Sequence, residues 1–271
     1  MTFDGKGGSK SRKKVYEGYK AGRENRKFRV NRQYMEFLDE EEEQLSMRQQ
    51  FVWLNDVLDY LPVQTMIYDG IEADDTIAYL TKHTQQDLDG EVVIVSTDKD
   101  FLQLVSDKVS VFSPTKKKMY TRQVVFDEFG IWPENLLLYR TLDGDKSDNI
   151  PGIRGCGIKT LLKRFPELSE DRLITHEEFF KMCEEKQGKI KLYDDILKAK
   201  DQLLMNKRLM ELDEPHIPTN QKLKILERFN VDDIQFNKLD FLKVGQKYKI
   251  LQNWRDINDW LHSTFHNIIT K

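Results

Sequence analysis

Cysteine is nearly absent: Cys156 and Cys183 are the only two in 271 residues. That excludes the even, closely spaced set that staples small secreted domains, and a reducing cytosol fits. The five histidines form no Cys/His cluster with zinc-ligand spacing. No stretch approaches the roughly 18 apolar residues of a membrane span. The opening Met-Thr-Phe-Asp-Gly-Lys also lacks the apolar core of a signal peptide. A soluble, cytoplasmic protein is therefore expected. An excess of one charge is missing too. The net charge is only -3 with 33% charged residues, so the average points to neither nucleic acid nor membrane.

The distribution of charge says more than its sum. Lys6 to Arg32 carries eleven Lys or Arg against Glu17 and Glu24, whereas Asp39 to Glu43 is an unbroken acidic run. Such asymmetry predicts a basic working face. The hydrophobic content of 39% is enough for one large or two modest domains.

The opening segment, rich in Gly, Ser and Lys/Arg, reads as a loop leading into a mobile basic stretch outside the core. From about Glu36 to Leu61 apolar residues recur among charges, which suits one or two amphipathic helices ending at Pro62. VQTMIYD reads as a short strand. EADDTIAYLTKHTQ reads as a helix with acids in its first turn, and EVVIVS as a strand buried on both faces. VSVFSP is a further strand, and Pro133 leads towards a helix near Leu136 to Leu142. The strand, helix, strand order predicts an α/β fold with an open, mostly parallel sheet flanked by helices. Gly144, Pro151, Gly152, Gly155 and Gly157 then crowd one segment, and residues 165–271 look mainly helical. The change of character places a domain or subdomain boundary near Arg140, dividing an α/β part over 1–140 from a mainly helical part over 141–271.

Four segments each place acids at an expected element end: Asp4; Glu72, Asp74 and Asp75; Asp98 and Asp100; Asp145 and Asp148. In open parallel sheets ligands bind beyond the carboxyl ends of strands, where Asp98 and Asp100 follow EVVIVS. Any one pair reads as well as a helix cap or a solvated loop; the recurrence weighs against that. If these acids converge, their repulsion requires divalent cations. All-oxygen ligation favours Mg²⁺ or Mn²⁺ over zinc, and two-metal phosphodiester hydrolysis is the natural chemistry. Basic residues interleaved with Tyr16, Tyr19, Phe28 and Tyr34 suit an arch that guides a single strand, or packing.

FDGKGGSKSRKKVYEGYKAGR, GIEADD, STDKDFLQLV and GDKSDNIPGIRGCGIKTLLKRF, in this order, resemble the signatures of the flap endonuclease/5′→3′ exonuclease family. That family includes the 5′-nuclease domain of bacterial DNA polymerase I and the 5′ nucleases of bacteriophages, and the match covers residues 3 to about 165. The resemblance implies a PIN-like 5′-nuclease fold. Asp4, Glu72, Asp74, Asp75 and Asp98 would then serve a first metal, and Asp98, Asp100, Asp145 and Asp148 a second. It gives Lys20 and Arg23 a catalytic role at the base of the arch, where a cation stabilises charge on the scissile phosphate. IPGIRGCGIKT resembles a helix-hairpin-helix. There Gly152, Gly155, Gly157, Lys159 and Thr160 would contact DNA phosphates, alongside Lys6, Lys20, Arg23 and Arg26. The resemblance also implies a K⁺ ion at this turn, for which Arg154 and Cys156 are unusual residues.

The implied activity is removal of 5′ flaps and RNA primers during DNA replication, on DNA with a 5′ flap or 5′ end or on an RNA–DNA hybrid. A replication polymerase or single-strand-binding protein would be the partner. The family begins with a strand ending in another metal-binding Asp, whereas this sequence starts at FDG, so a first strand and one carboxylate are expected to be missing. The alternatives are a non-catalytic DNA-binding fragment or subunit with an incomplete metal site, and an RNA-cleaving relative.

Overall fold

The computed structural model describes residues 1–22, 39–215, 217–229 and 236–269. In chain order its strands and helices are β1 (Thr2–Asp4), α1 (Lys10–Val15), α2 (Glu40–Leu58), β2 (Met66–Tyr68), α3 (Ala73–Gln86), β3 (Val92–Val95), β4 (Val109–Ser113) and β5 (Lys118–Tyr120). There follow α4 (Arg122–Phe129), α5 (Pro133–Asp143), α6 (Ile158–Arg164), α7 (His176–Glu185), α8 (Lys191–Lys198), α9 (Lys200–Met210), α10 (Thr219–Phe229), α11 (Lys238–Lys247) and α12 (Ile257–Ile269). A 3₁₀ turn, Lys99–Leu104, follows β3. Among the described residues no helix is long and apolar enough to cross a membrane.

The chain divides into two compact units. One comprises residues 1–3, 27–67 and 222–271, the other residues 4–26 and 68–221. α5 runs unbroken through residue 140 and packs on α9 and on the 3₁₀ turn. The glycine-rich change of character after Asp143 marks a turn within the larger unit.

In the smaller unit, the acidic run Asp39 to Glu43 forms the N-cap and start of α2. Asp39 caps it, accepting from the Glu42 N–H at 2.9 Å, and acids at a helix N-terminus are favoured by the helix dipole. Val57 and Leu58 at its other end, with Leu61, pack against Phe241, Leu261 and Phe265.

The larger unit holds a three-stranded sheet. β3 and β4 are parallel, with Val92 opposite Val109 and Val95 opposite Phe112, while β4 and β5 are antiparallel. β1 and β2 pair separately. The architecture is mixed α/β with small sheets. β5 and α4 are additions that the sequence pattern did not predict, and EVVIVS departs from expectation in burial. Ile94 is 4% exposed, but Val93 and Val95 are 54% and 65% exposed, so β3 packs on one face only. The core lies under that face: Phe101 and Leu102 of the 3₁₀ turn, Leu138 and Leu142 of α5, Leu161 of α6, and Phe179 and Phe180 of α7. Burying such side chains contributes about 1.5–3 kcal/mol each.

The opening segment also departs from the expected loop. Its first part folds as α1, and both Arg12 and Tyr19 are buried. Tyr16 and Tyr19 pack with Ile150, Leu209 and Met210, the outcome foreseen as packing. Phe28, Tyr34, Arg23 and Arg26 lie outside the described residues.

His176, at the start of α7, is buried with Nε2 3.1 Å from the Thr141 hydroxyl. That hydroxyl itself donates to the Leu138 carbonyl, so the ring nitrogen is the donor. Burial pushes its pKa down to about 4, with the positive charge of Lys207 adding to the effect. An unfolded histidine protonates near 6.5. The stabilisation from keeping this ring neutral is therefore complete above that pH and is lost as pH falls towards 4. Urea unfolding at pH 7 and pH 4.5 is expected to show wild type losing about 2–3 kcal/mol more than His176→Gln.

Candidate metal centre

Every acid singled out from the sequence lies in the larger unit, at an element end or, for Asp145 and Asp148, in the loop between α5 and α6. Asp4 ends β1, and the glycine after it has a steric reason. A Cβ on Gly5 would sit 1.7 Å from the Tyr68 carbonyl oxygen, so only glycine lets the chain turn there. The turn aims Asp4 at the start of α3, where its carboxylate accepts from the Ala73 N–H at 2.8 Å. Glu72 immediately precedes α3, and Asp74 and Asp75 occupy its first turn, where the helix dipole favours anions. Asp98 follows β3 and caps the 3₁₀ turn by accepting from the Asp100 N–H at 2.9 Å. Asp145 is paired with Ile150 across a short antiparallel bridge. Its Oδ1 accepts from the N–H groups of Ser147 at 2.6 Å and Asp148 at 3.3 Å.

Two arginines absent from the expected site hold this arrangement. Arg12 is 3% exposed. It forks onto both oxygens of Asp75 at 2.8 Å, reaches Glu72 Oε2 at 2.5 Å and donates Nε–H to the Leu209 carbonyl at 2.9 Å. Asp75 is therefore committed to a guanidinium. Arg140, in the last turn of α5, joins Asp100 Oδ1 at 2.8 Å to Asp145 Oδ2 at 2.7 Å. Lys20 pairs with Glu72 through Nζ, and its N–H donates to the Asp148 carbonyl at 2.8 Å. Its φ of 56° lies in the left-handed region, so this lysine is held in a conformation side chains disfavour. Asn149 ties the same loops by donating to the Gly18 carbonyl at 2.9 Å.

The cations sort the acids. Glu72 and Asp75 are matched in charge by Arg12 and Lys20, whereas Asp100 and Asp145 share Arg140. Asp4, Asp74 and Asp98 have no ion-pair partner among the described residues. Burial raises Asp74 to about 7, with repulsion from Asp98, Glu72 and Asp4 outweighing the attraction of Lys20. Burial likewise lifts Asp100 to about 6, against the pull of Arg140. Asp145 is lowered: burial opposes, but hydrogen bonds from Ser147 and the charge of Arg140 prevail. Crowded carboxylates with raised pKa values are the signature of a cation site, and an all-oxygen donor set suits Mg²⁺ or Mn²⁺. In kind, the residues fit such an ion. In spacing, no three His, Cys, Asp or Glu among the described residues close around one point.

The glycines of the turn before α6 differ in their surroundings. Gly155 has φ 91°, and Gly157, at the start of α6, has open space where a Cβ would stand. Lys159 and Thr160 are exposed beside it. Gly152 has a different reason: a Cβ there would lie 2.0 Å from the Asp143 carbonyl oxygen, so its small size serves backbone packing. Lys6 is exposed next to Asp4. Both cysteines are buried, which pushes each thiol up to about 12 and makes them poor metal ligands.

The signal that could have found Arg12 and Arg140 is electrostatic. A buried acid cluster needs buried counter-ions, and arginine is the residue that keeps its charge when buried.

Residues 1–130 match the model of the 5′-3′ exonuclease N-terminal resolvase-like domain. A 5′-3′ exonuclease of Aquifex aeolicus is 40% identical over 116 residues, covering 41% of this chain and 39% of that protein. The DNA polymerase I of Bacillus subtilis is 35% identical over 170 residues, covering 60% of this chain and 18% of that protein. The chain thus spans less than half the length of these curated relatives. In fold it is similar to the bacteriophage T5 flap endonuclease solved with DNA and metal ions, with TM-score 0.58, 23% identity and coverage of 90% and 82% of the two chains.

Removing the Arg12 guanidinium leaves the buried Asp75 carboxylate without an ion-pair partner among the described residues, and Glu72 with Lys20 alone. Arg12→Met is expected to cost about 3–5 kcal/mol of stability, measured by urea unfolding at pH 7.

Proposed function

Residues 1–130 belong to the family of 5′-3′ exonuclease N-terminal resolvase-like domains, and from that premise we propose that this chain hydrolyses phosphodiesters of DNA near 5′ ends. The observation that carries this reading is the group Asp4, Asp74 and Asp98: Asp4 and Asp98 both lie in electrostatic range of Asp74, none of the three has an ion-pair partner among the described residues, and a lysine is held beside them. We propose that these three, with Glu72, hold one Mg²⁺ or Mn²⁺, and that Asp98, Asp100, Asp145 and Asp148 serve a second. Such ions supply a water of lowered pKa and neutralise phosphate charge.

The chain's own residues do the rest. Lys20 presents an ammonium beside the acids, where it can stabilise negative charge building on the scissile phosphate. The exposed turn of Gly155 and Gly157, with Lys159 and Thr160, offers backbone N–H groups and a cation to duplex phosphates without reading bases. Lys6 extends the basic rim next to Asp4. The substrates proposed are DNA with a 5′ flap or 5′ end and the RNA–DNA hybrids of primers, with replication as the setting.

One observation favours a second reading, a DNA-binding chain without catalysis: no three described acids close around one point. Cleavage of a 5′-labelled DNA flap separates the two. Mg²⁺-dependent cutting, abolished by EDTA, is expected. Asp74→Asn and Asp98→Ala are expected to lower the rate by at least roughly a hundredfold, and Lys20→Ala by roughly 10²–10³ in kcat. Binding of the flap with no Mg²⁺-dependent product would overturn the nuclease reading in favour of the second.

A further inference from the structure

Arg140 sits where the helix dipole favours a cation, in the last turn of α5. Its contacts differ from those of Arg12. Arg12 serves two acids on one segment, whereas Arg140 bridges two segments, Asp100 on the 3₁₀ turn and Asp145 in the loop before α6. The bridge is mostly buried, with side-chain exposures of 15% for Arg140, 23% for Asp100 and 20% for Asp145. Both oxygens of Asp145 are engaged, Oδ2 by Arg140 and Oδ1 by the N–H groups of Ser147 and Asp148. An incoming divalent ion therefore meets an acid pair already half-compensated by one guanidinium on this side, and three acids without an ion-pair partner among the described residues at Asp4, Asp74 and Asp98. The two halves of the acid group differ in kind.

Resting on the nuclease reading above, we propose that Arg140 is a resident counter-ion that keeps the Asp100–Asp145 half weak for divalent cations until a phosphate draws the guanidinium away. A guanidinium binds phosphate bidentately, as it binds carboxylate, so the exchange is between like geometries. When Arg140 turns to the phosphate, Asp100 Oδ1 and Asp145 Oδ2 are released together. Full loading with metal is thereby coupled to the presence of DNA, and Arg140 acts as a positioning residue.

The test is Mn²⁺ binding to the full chain without DNA, followed by electron paramagnetic resonance and calorimetry. Wild type is expected to show one tighter and one weaker class of site. In Arg140→Gln the weaker constant should tighten by roughly tenfold or more, since a unit charge at contact distance has been removed. Arg140→Lys, which keeps the charge, should stay near wild type. A weaker constant that is unchanged or loosened in Arg140→Gln overturns the inference.

A measurement on wild type alone guards against a variant that fails to fold. The side-chain Nε–H resonance of Arg140 should persist when Mg²⁺ fills the tighter class and should shift on adding a 5′-phosphorylated oligonucleotide. Its loss with the first equivalent of Mg²⁺ overturns the inference. Neither readout depends on turnover. Flap cleavage with unchanged constants in Arg140→Gln refutes this inference alone, whereas absence of cleavage refutes the nuclease reading.

Discussion

The guanidinium of Arg12, buried between Glu72 and Asp75 with its Nε–H on the carbonyl of Leu209, ties α1, the start of α3 and the end of α9 together. Remove that charge and Asp75 remains in a low-dielectric interior with no other ion-pair partner among the described residues, at a cost of several kcal/mol, while Glu72 keeps Lys20 and the Tyr19 hydroxyl. Because Glu72 is held, Lys20 has a fixed partner; because α3 is held, Asp4 has an N–H to cap. The placement of the acids thus follows from one buried cation more than from the small sheets beside them.

Repulsion sets the next level of organisation. Asp74 and Asp100 are pushed up to about 7 and about 6, in each case with burial the largest cause and neighbouring acids adding to it. Where a cation is built in, as at Arg140, the opposing pull is the larger counterweight. Around Asp74 the attraction of Lys20 is outweighed by Asp98, Glu72 and Asp4, and an added cation or a proton relieves the crowding. The protein alone therefore leaves a charge imbalance that a hard divalent ion suits.

Much of this was legible in the sequence, because it depends on local rules. Helix periodicity and first-turn acids placed α2 and α3, the β-branched runs placed β3 and β4, and Pro133 at N1 placed α5. The acids were legible as a recurring element-end pattern. What escaped was long-range. The opening segment reads as a loop because its basic residues show no apolar period, yet α1 is fixed by an arginine bonded to residues 60 and 197 positions away. EVVIVS reads as doubly buried because an apolar run carries no information on which face is covered. The turn glycines read as a phosphate cradle, whereas Gly152 answers to the Asp143 carbonyl, a contact that composition cannot reveal.

Lys20 carries a consequence of a thermodynamic kind. Its backbone is fixed in the left-handed region by the Asp148 carbonyl, and its ammonium is held by Glu72, so backbone and side-chain head are both ordered by folding itself. A lysine on an exposed loop surrenders about 2 kcal/mol of rotamer entropy when it grips an anion. Here that loss has already occurred, and an arriving anion exchanges one partner for another. Engagement of Lys20 is then an enthalpic contest between a carboxylate and the newcomer, with little entropy at stake.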